Sequence, residues 1–363
     1  MLVTSIVPRL TPAIDGVGDY ALSLARQLRL DFGIETQFLL GDPTWNGATD
    51  IEGFTIKKVP LRSATILSSL LHCLQNSAIV MLHYVGHGYA KRGCPFWLVE
   101  GLEHWTTNVV NAKLVTMFHE LHPSRGLPTR SNFWLFLLQR NLAARIARLS
   151  DRCLTNSQSD IKALYNLSRG KHTQIPTLPV FSNIGEPEQV PPLSERQRRL
   201  VVFGQEKNRL RVYRKSLAEL SQACQVLGIE EIWDIGPSIG LNLAGVSEVP
   251  IIAMGQLSAP EISDIMLKSL AGFFNYDINC LSRSGIFAAY CSHGVLPISY
   301  RCGATSLDGI EARKHYWVPD SEHLAVNSVE ELQAIADNAY TWYQSHNLSV
   351  QAKTFATFLD KKV

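Results

Sequence analysis

The sequence predicts an α/β protein of two parallel-sheet domains, and three observations lead there. The chain has 363 residues, beyond the roughly 250–300 at which one hydrophobic core stops growing. Short apolar runs alternate with longer helical patterns from end to end, as expected of parallel strands covered by helices. One proline- and charge-rich stretch, "NIGEPEQVPPLSERQRR" (residues 183–199), interrupts that alternation with a composition that favours neither helix nor sheet. The expected division is therefore residues 1–185, residues 186–340, and a terminal helical segment, residues 341–363, that returns to the first domain.

In the first half, "LVTSIVP" reads as the opening strand. "DGVGDYALSLARQL" reads as a glycine turn entering a helix whose apolar stripe holds Tyr20, Leu24 and Leu28. The strands "IETQFLLG", "FTIKKVPL", "SAIVMLHYV", "AKLVTMFHE" and "RCLTNS" follow, and "TQIPTLPVF" closes the half. After the interruption come strand "LVVFG", helix "SLAELSQACQVLG", strands "EIWDIG" and "IIAMGQL", helix "APEISDIMLKS" and strand "AGFFNY". The stretch "NCLSRSGIFAAYCSHGVLPIS" (279–299) then reads as a Ser/Arg/Gly loop, a helix opening at about Gly285 and a buried strand. Two such halves suggest Rossmann-like domains facing a central cleft, with ligands placed beyond the carboxyl ends of the strands.

That placement selects four loops. Gly16 and Gly18 lie between a strand and a helix, where backbone can approach a ligand and a helix amino terminus can take negative charge. The spacing is neither a GxGxxG fingerprint nor a P-loop, so a plain tight turn is an equal reading. His83, and His119 with Glu120, follow buried strands, where imidazole can donate to a phosphate or sugar oxygen or act in acid–base chemistry. Zinc held by His83, His87, His119 and His122 is a competing reading, but "HELH" does not have the spacing of a helical zinc motif. In "FGQEKNRLRVYRKS" the cations Lys207, Arg209, Arg211, Arg214 and Lys215 follow a glycine-ended strand, a composition suited to a diphosphate. Ser282, Arg283, Ser284 and Gly285 run into a helix start that is either an anion site or an ordinary serine cap.

Taken in order, "PRLTPAIDGVGDYALSLARQL", "VTMFHELH", "CLTNSQSDIKAL", "VVFGQEKNRLRVYRKSLAEL", "IWDIGPS", "MGQLSAPEISDIMLKS" and "SGIFAAYCSHGVLPIS" resemble the family 4 group of retaining glycosyltransferases with the GT-B architecture. The resemblance implies transfer of a sugar from a nucleotide-sugar donor, which serves as co-substrate with no further cofactor and no metal. It implies that Gly16 and Gly18 approach the donor phosphates or the reacting centre and that His119 contacts the transferred sugar. Arg209 and Lys215 would neutralise the diphosphate, with Arg211 and Arg214 competing for that role. The Gly285 and Ile286 amides, with Ser282 and Ser284, would complete the phosphate site. His83 and Glu120 fall to the sugar or acceptor. The family pattern also carries two glutamates with seven residues between them. The matching positions here are Leu281 and Ala289, and no acid occurs between Asp277 and Asp308. A catalytically silent nucleotide- or glycan-binding partner protein is therefore the second reading, and a nucleotide-sugar epimerase a third.

Composition narrows the partners. A net charge of +2 argues against bulk binding of nucleic acid. No run reaches the ~18 apolar residues of a membrane span, the first residues lack a signal peptide's basic opening, and seven scattered cysteines form no framework. A cytoplasmic protein is expected. The segment 124–152 holds six arginines among aromatic and aliphatic residues, five of them before its first acid, Asp151. It reads as a solvated helix face or as a peripheral contact with the inner face of a membrane.

Overall fold

The computed structural model describes residues 1–13, 15–74, 78–121, 130–241, 244–302, 307–319 and 328–360. It divides into two compact units, Met1–Pro179 together with Leu348–Val363, and Val180–Asn347.

The first unit is a mostly parallel sheet. Its strands are β1 (Leu2–Val7), β2 (Glu35–Leu40), β3 (Asp50–Ile51), β4 (Phe54–Lys58), β5 (Ile79–Val85), β6 (Lys113–Glu120) and β7 (Arg152–Thr155), ordered β3-β4-β2-β1-β5-β6-β7. Among the described residues of this unit only β3 pairs antiparallel. Strand β1 pairs with β2 on one side and β5 on the other, so the order reverses there and the crevice beyond the ends of β1 and β5 is the topological switch point. Six of the seven β5 residues and five consecutive residues of β6 are buried, which is why these runs are continuously apolar and do not alternate.

Helix α1 (Gly16–Phe32) starts where Asp15 accepts hydrogen bonds from the Val17 and Gly18 amides, and it stops at Gly33, whose φ of 60° lets the chain leave. Its stripe of Tyr20, Ala21, Leu24, Ala25 and Leu28 is buried. The remaining helices of this unit are α2 (Ala64–Cys73), α3 (Gly86–Tyr89), α4 (Phe96–Asn108), α5 (Arg130–Leu149) and α6 (Ile161–Leu167). The stretch 173–181 adds no strand; only Thr177 bridges to Thr155.

The second unit repeats the plan with β8 (Gln197–Phe203), β9 (Glu231–Ile235), β10 (Gly245–Val246), β11 (Val249–Gly255), β12 (Ser269–Phe273) and β13 (Leu296–Ile298), ordered β10-β11-β9-β8-β12-β13. Here β8 is flanked by β9 and β12, so its carboxyl end is the corresponding switch point. Helices α7 (Glu206–Lys215), α8 (Leu217–Leu227), α9 (Ala259–Lys268), α10 (Gly285–Ser292) and α11 (Val329–Gln344) cover the sheet. Helix α12 (Leu348–Leu359) belongs to the first unit and packs on α1.

Two local expectations are corrected. The stretch 183–199 is no bare linker. Its last three residues open β8, and the buried Arg196 guanidinium donates to the carbonyls of Pro191, Met266, Ser269 and His293. The basic run after β8 is not a loop. It is α7, whose inner face carries Arg209, Val212 and Tyr213.

Candidate functional site

At the switch point of the first unit, β5 and β6 carry His83 and His119 side by side. His83 Nδ1 lies 3.0 Å from His119 Nε2, and the rings stack with 20° between their planes. Tyr20 of α1 meets both rings edge-on. Its hydroxyl donates to Gln351 Oε1 at 2.5 Å, and Gln351 Nε2 donates to the Pro179 carbonyl at 2.6 Å. His83 is fully buried, and burial, then the neighbouring His119, pushes its pKa well below the ordinary imidazole value. Its Nε2 has no hydrogen-bond partner among the described residues. His119 and Glu120 are half-buried at the strand's end.

The glycine loop has an internal explanation. Asp15 already accepts from the Val17 and Gly18 amides at 3.0 Å. A Cβ on Gly18 would stand 2.1 Å from the Arg9 carbonyl oxygen, so close backbone packing requires glycine there, whereas a Cβ on Gly16 would meet nothing. Asp19, one residue on, has its carboxyl raised to about 6 by burial and by Asp15.

In the second unit the ends of β8 and β9 meet the start of α10. Gly204 has a φ of 124°, and its Cβ would stand 2.7 Å from Ile286 Cδ1; a Cβ on Gly236 would stand 2.3 Å from the Gly204 carbonyl oxygen. Ser284 Oγ accepts from the Phe287 amide at 3.2 Å, leaving the Gly285 and Ile286 amides without an acceptor among the described residues. Ser282 is buried, and its hydroxyl donates to Asp308 Oδ2 at 2.6 Å. The stretch without acids thus receives its carboxylate from Asp308. Leu281 and Ala289 are both buried.

The cations of α7 take different places. Arg209 is buried, and its guanidinium donates to Asp234, to the Gly204 carbonyl and to the Pro237 carbonyl. Tyr213 donates to the other Asp234 oxygen at 3.0 Å. Burial raises the Asp234 pKa, with Arg209 pulling it back. Arg209 therefore ties the ends of β8 and β9 together. Arg211 is half-buried, while Lys207, Arg214 and Lys215 are exposed.

Asn275, just past β12, donates to Ser216 Oγ at 2.8 Å and to the Arg211 carbonyl at 3.3 Å, and it accepts from Arg301 Nε at 3.1 Å. The two Nη groups of Arg301 have no acceptor among the described residues. Neither Asn275 nor Arg301 stands out in the sequence. The only available signal is that each lies two or three residues beyond a buried strand.

Among the described residues no three His, Cys, Asp or Glu side chains gather as a metal site. His87 is exposed, and His122 lies outside the described residues, as do residues 124–129 of the arginine-rich segment. Within α5, Phe133, Trp134 and Leu138 are exposed. Gln139 Nε2 donates to the Arg92 carbonyl at 2.8 Å, placing the exposed Arg92, which follows the exposed Lys91 in the chain, beside that helix. No helix among the described residues is long and apolar enough to cross a membrane.

No family model matches the chain, and no curated protein matches it in sequence. Solved structures do match over nearly the whole length. TarM superposes with a TM-score of 0.63 at 9% identity, over 99% of each chain. An alpha-glucosyltransferase in complex with UDP-glucose and DNA containing an abasic site gives 0.57 at 13%, again over 99% of each. WaaG, a glycosyltransferase involved in lipopolysaccharide biosynthesis, gives 0.55 at 13%, over 99% of this chain and all of the other. The two Rossmann-like units therefore have the fold of GT-B glycosyltransferases.

Proposed function

From a chain with that fold, we propose a glycosyltransferase that moves a sugar from a nucleotide-sugar donor to an acceptor, with retention of configuration and without a metal. The observation that carries the reading is the junction at the end of β8. Gly204 packs on Ile286, and the first two amides of α10 have no internal acceptor. Helix amino termini and fixed cations suit a diphosphate, and they stabilise it most when negative charge builds on it as a leaving group. In this reading the diphosphate meets the Gly285 and Ile286 amides, and Arg301, Arg211 and Lys215 supply the positive charge. Arg301 takes the guanidinium role in place of Arg209, whose donors are directed to Asp234 and two carbonyls. In the first unit, His119 hydrogen-bonds a sugar oxygen.

The face of α5 with Phe133, Trp134 and Leu138, flanked by Lys91, Arg92 and Arg140, suits peripheral contact with an anionic bilayer on its cytoplasmic side. Aromatic anchors and cations act together at such surfaces.

Calorimetric titration with UDP, GDP, ADP and their glucose conjugates tests the reading. One of them is expected to bind, with affinity reduced in Arg301→Ala, and a donor panel then reports released nucleoside diphosphate. Absence of binding across the set would remove the proposal.

A further inference from the structure

His83 and His119 offer each other one nitrogen apiece, and the two ways of sharing a proton are not equivalent. If His119 donates from Nε2 to His83 Nδ1, a neutral His83 must carry its own proton on Nε2. That atom is buried and has no partner among the described residues, so this arrangement strands a buried N–H donor, the rarer and costlier defect. If His83 donates from Nδ1 to His119 Nε2, the stranded atom is only a lone pair. In either case His119 Nε2 is engaged by His83 at 3.0 Å.

From this geometry we infer that His83 is a positioning residue that fixes His119 in the Nδ1–H tautomer, so that His119 Nδ1 is a hydrogen-bond donor and not a proton acceptor. The stacked rings and the edge of Tyr20, itself held by Gln351, prevent either imidazole from turning over to reverse the assignment. Burial keeps His83 neutral, in line with its lowered pKa. The inference deepens the transferase reading, but it concerns a proton position that exists whether or not sugar is transferred.

Long-range 1H–15N correlation spectra of the full chain at pH 7.5 test it, with the His119 signals identified by their loss in His119→Gln. The expected pattern is a protonated Nδ1 and an unprotonated Nε2 on His119; a proton on Nε2 would overturn the inference. In parallel, His83→Asn keeps an N–H near the position of Nδ1, whereas His83→Phe has none. Loss of that hydrogen bond should cost roughly ten-fold in turnover or donor affinity in His83→Phe, with most of it recovered in His83→Asn. Equal behaviour of His83→Phe and wild type would also count against it. Should His83→Phe fail to fold, the spectrum of the wild-type chain decides alone. A chain that transfers no sugar yet shows the Nδ1–H tautomer would sink the functional reading and uphold this one.

Discussion

Arg209 shows how a residue's surroundings decide its role. As one of five cations in the run 207–215 it looks like a ligand for phosphate, but its side chain is inside, facing Asp234 and two carbonyls. Removing one partner of a buried ion pair leaves an uncompensated charge. Arg209→Ala is therefore expected to lower stability by roughly 3–5 kcal/mol, read from denaturant unfolding. In an Asp234→Ala background the same change should cost much less. A full-sized loss in both backgrounds would mean that the pair is not the reason. The same inspection separates Gly18, required by the Arg9 carbonyl, from Gly16, which no neighbour constrains.

At the scale of elements, strands were the most legible part of the sequence. In a sheet covered on both faces they are continuous apolar runs, as β5 and β6 show. Helix α7 was hidden because its inward positions include an arginine and a tyrosine where apolar periodicity would signal a helix. The start of α10 at Gly285 was readable from its serine cap and glycine, but the Asp308 partner of Ser282 was not, because 26 residues separate them. His83 and His119 were both readable from their strand ends, but their direct contact and its Tyr20–Gln351 support were not, at separations of 36 and 331 residues. Helix α5 contains no acid and exposes Trp134 to 71%. Sedimentation with vesicles should therefore show binding to phosphatidylglycerol-containing bilayers, weaker binding to neutral ones and weakening by salt. Binding should fall in Phe133→Ala/Trp134→Ala, and indifference to that double change would argue for a solvated face.

At the scale of the whole molecule, buried imidazoles link stability to acidity. Burial holds His293 at about 4 and His346 at about 3, and lowers His83 as well. Between about pH 6.5 and 4 the unfolded chain binds protons that the folded one refuses, so stability falls as pH falls, at roughly 1.4 kcal/mol per pH unit for each such histidine. Asp19 runs the other way in the first unit. With its carboxyl raised to about 6, its protonation as pH drops toward 4 favours the folded form and offsets His83. Asp234 opposes in the same sense in the second unit. Thermal unfolding should show a lower midpoint for the second unit at pH 5 than at pH 7, with a shallower decline in His293→Gln. A flat profile would contradict neutral burial of these rings. The two-unit α/β plan was the expectation from chain length, alternation and the proline- and charge-rich stretch 183–199. The return of the terminal helical segment to the first domain was part of that expectation, but the Tyr20–Gln351 and Ser349–Asp31 hydrogen bonds that join α12 to α1 were not, because they span 331 and 318 residues.

That last pairing sets an order of assembly. The second unit is one continuous segment, Val180–Asn347, whereas the first needs both Met1–Pro179 and Leu348–Val363. Domains generally fold as they leave the ribosome, amino-terminal ones first. Here the unit made first must wait, with the Tyr20 end of α1 uncovered, until residues 348–359 have been synthesised, so the unit begun second can reach its native state before the unit begun first.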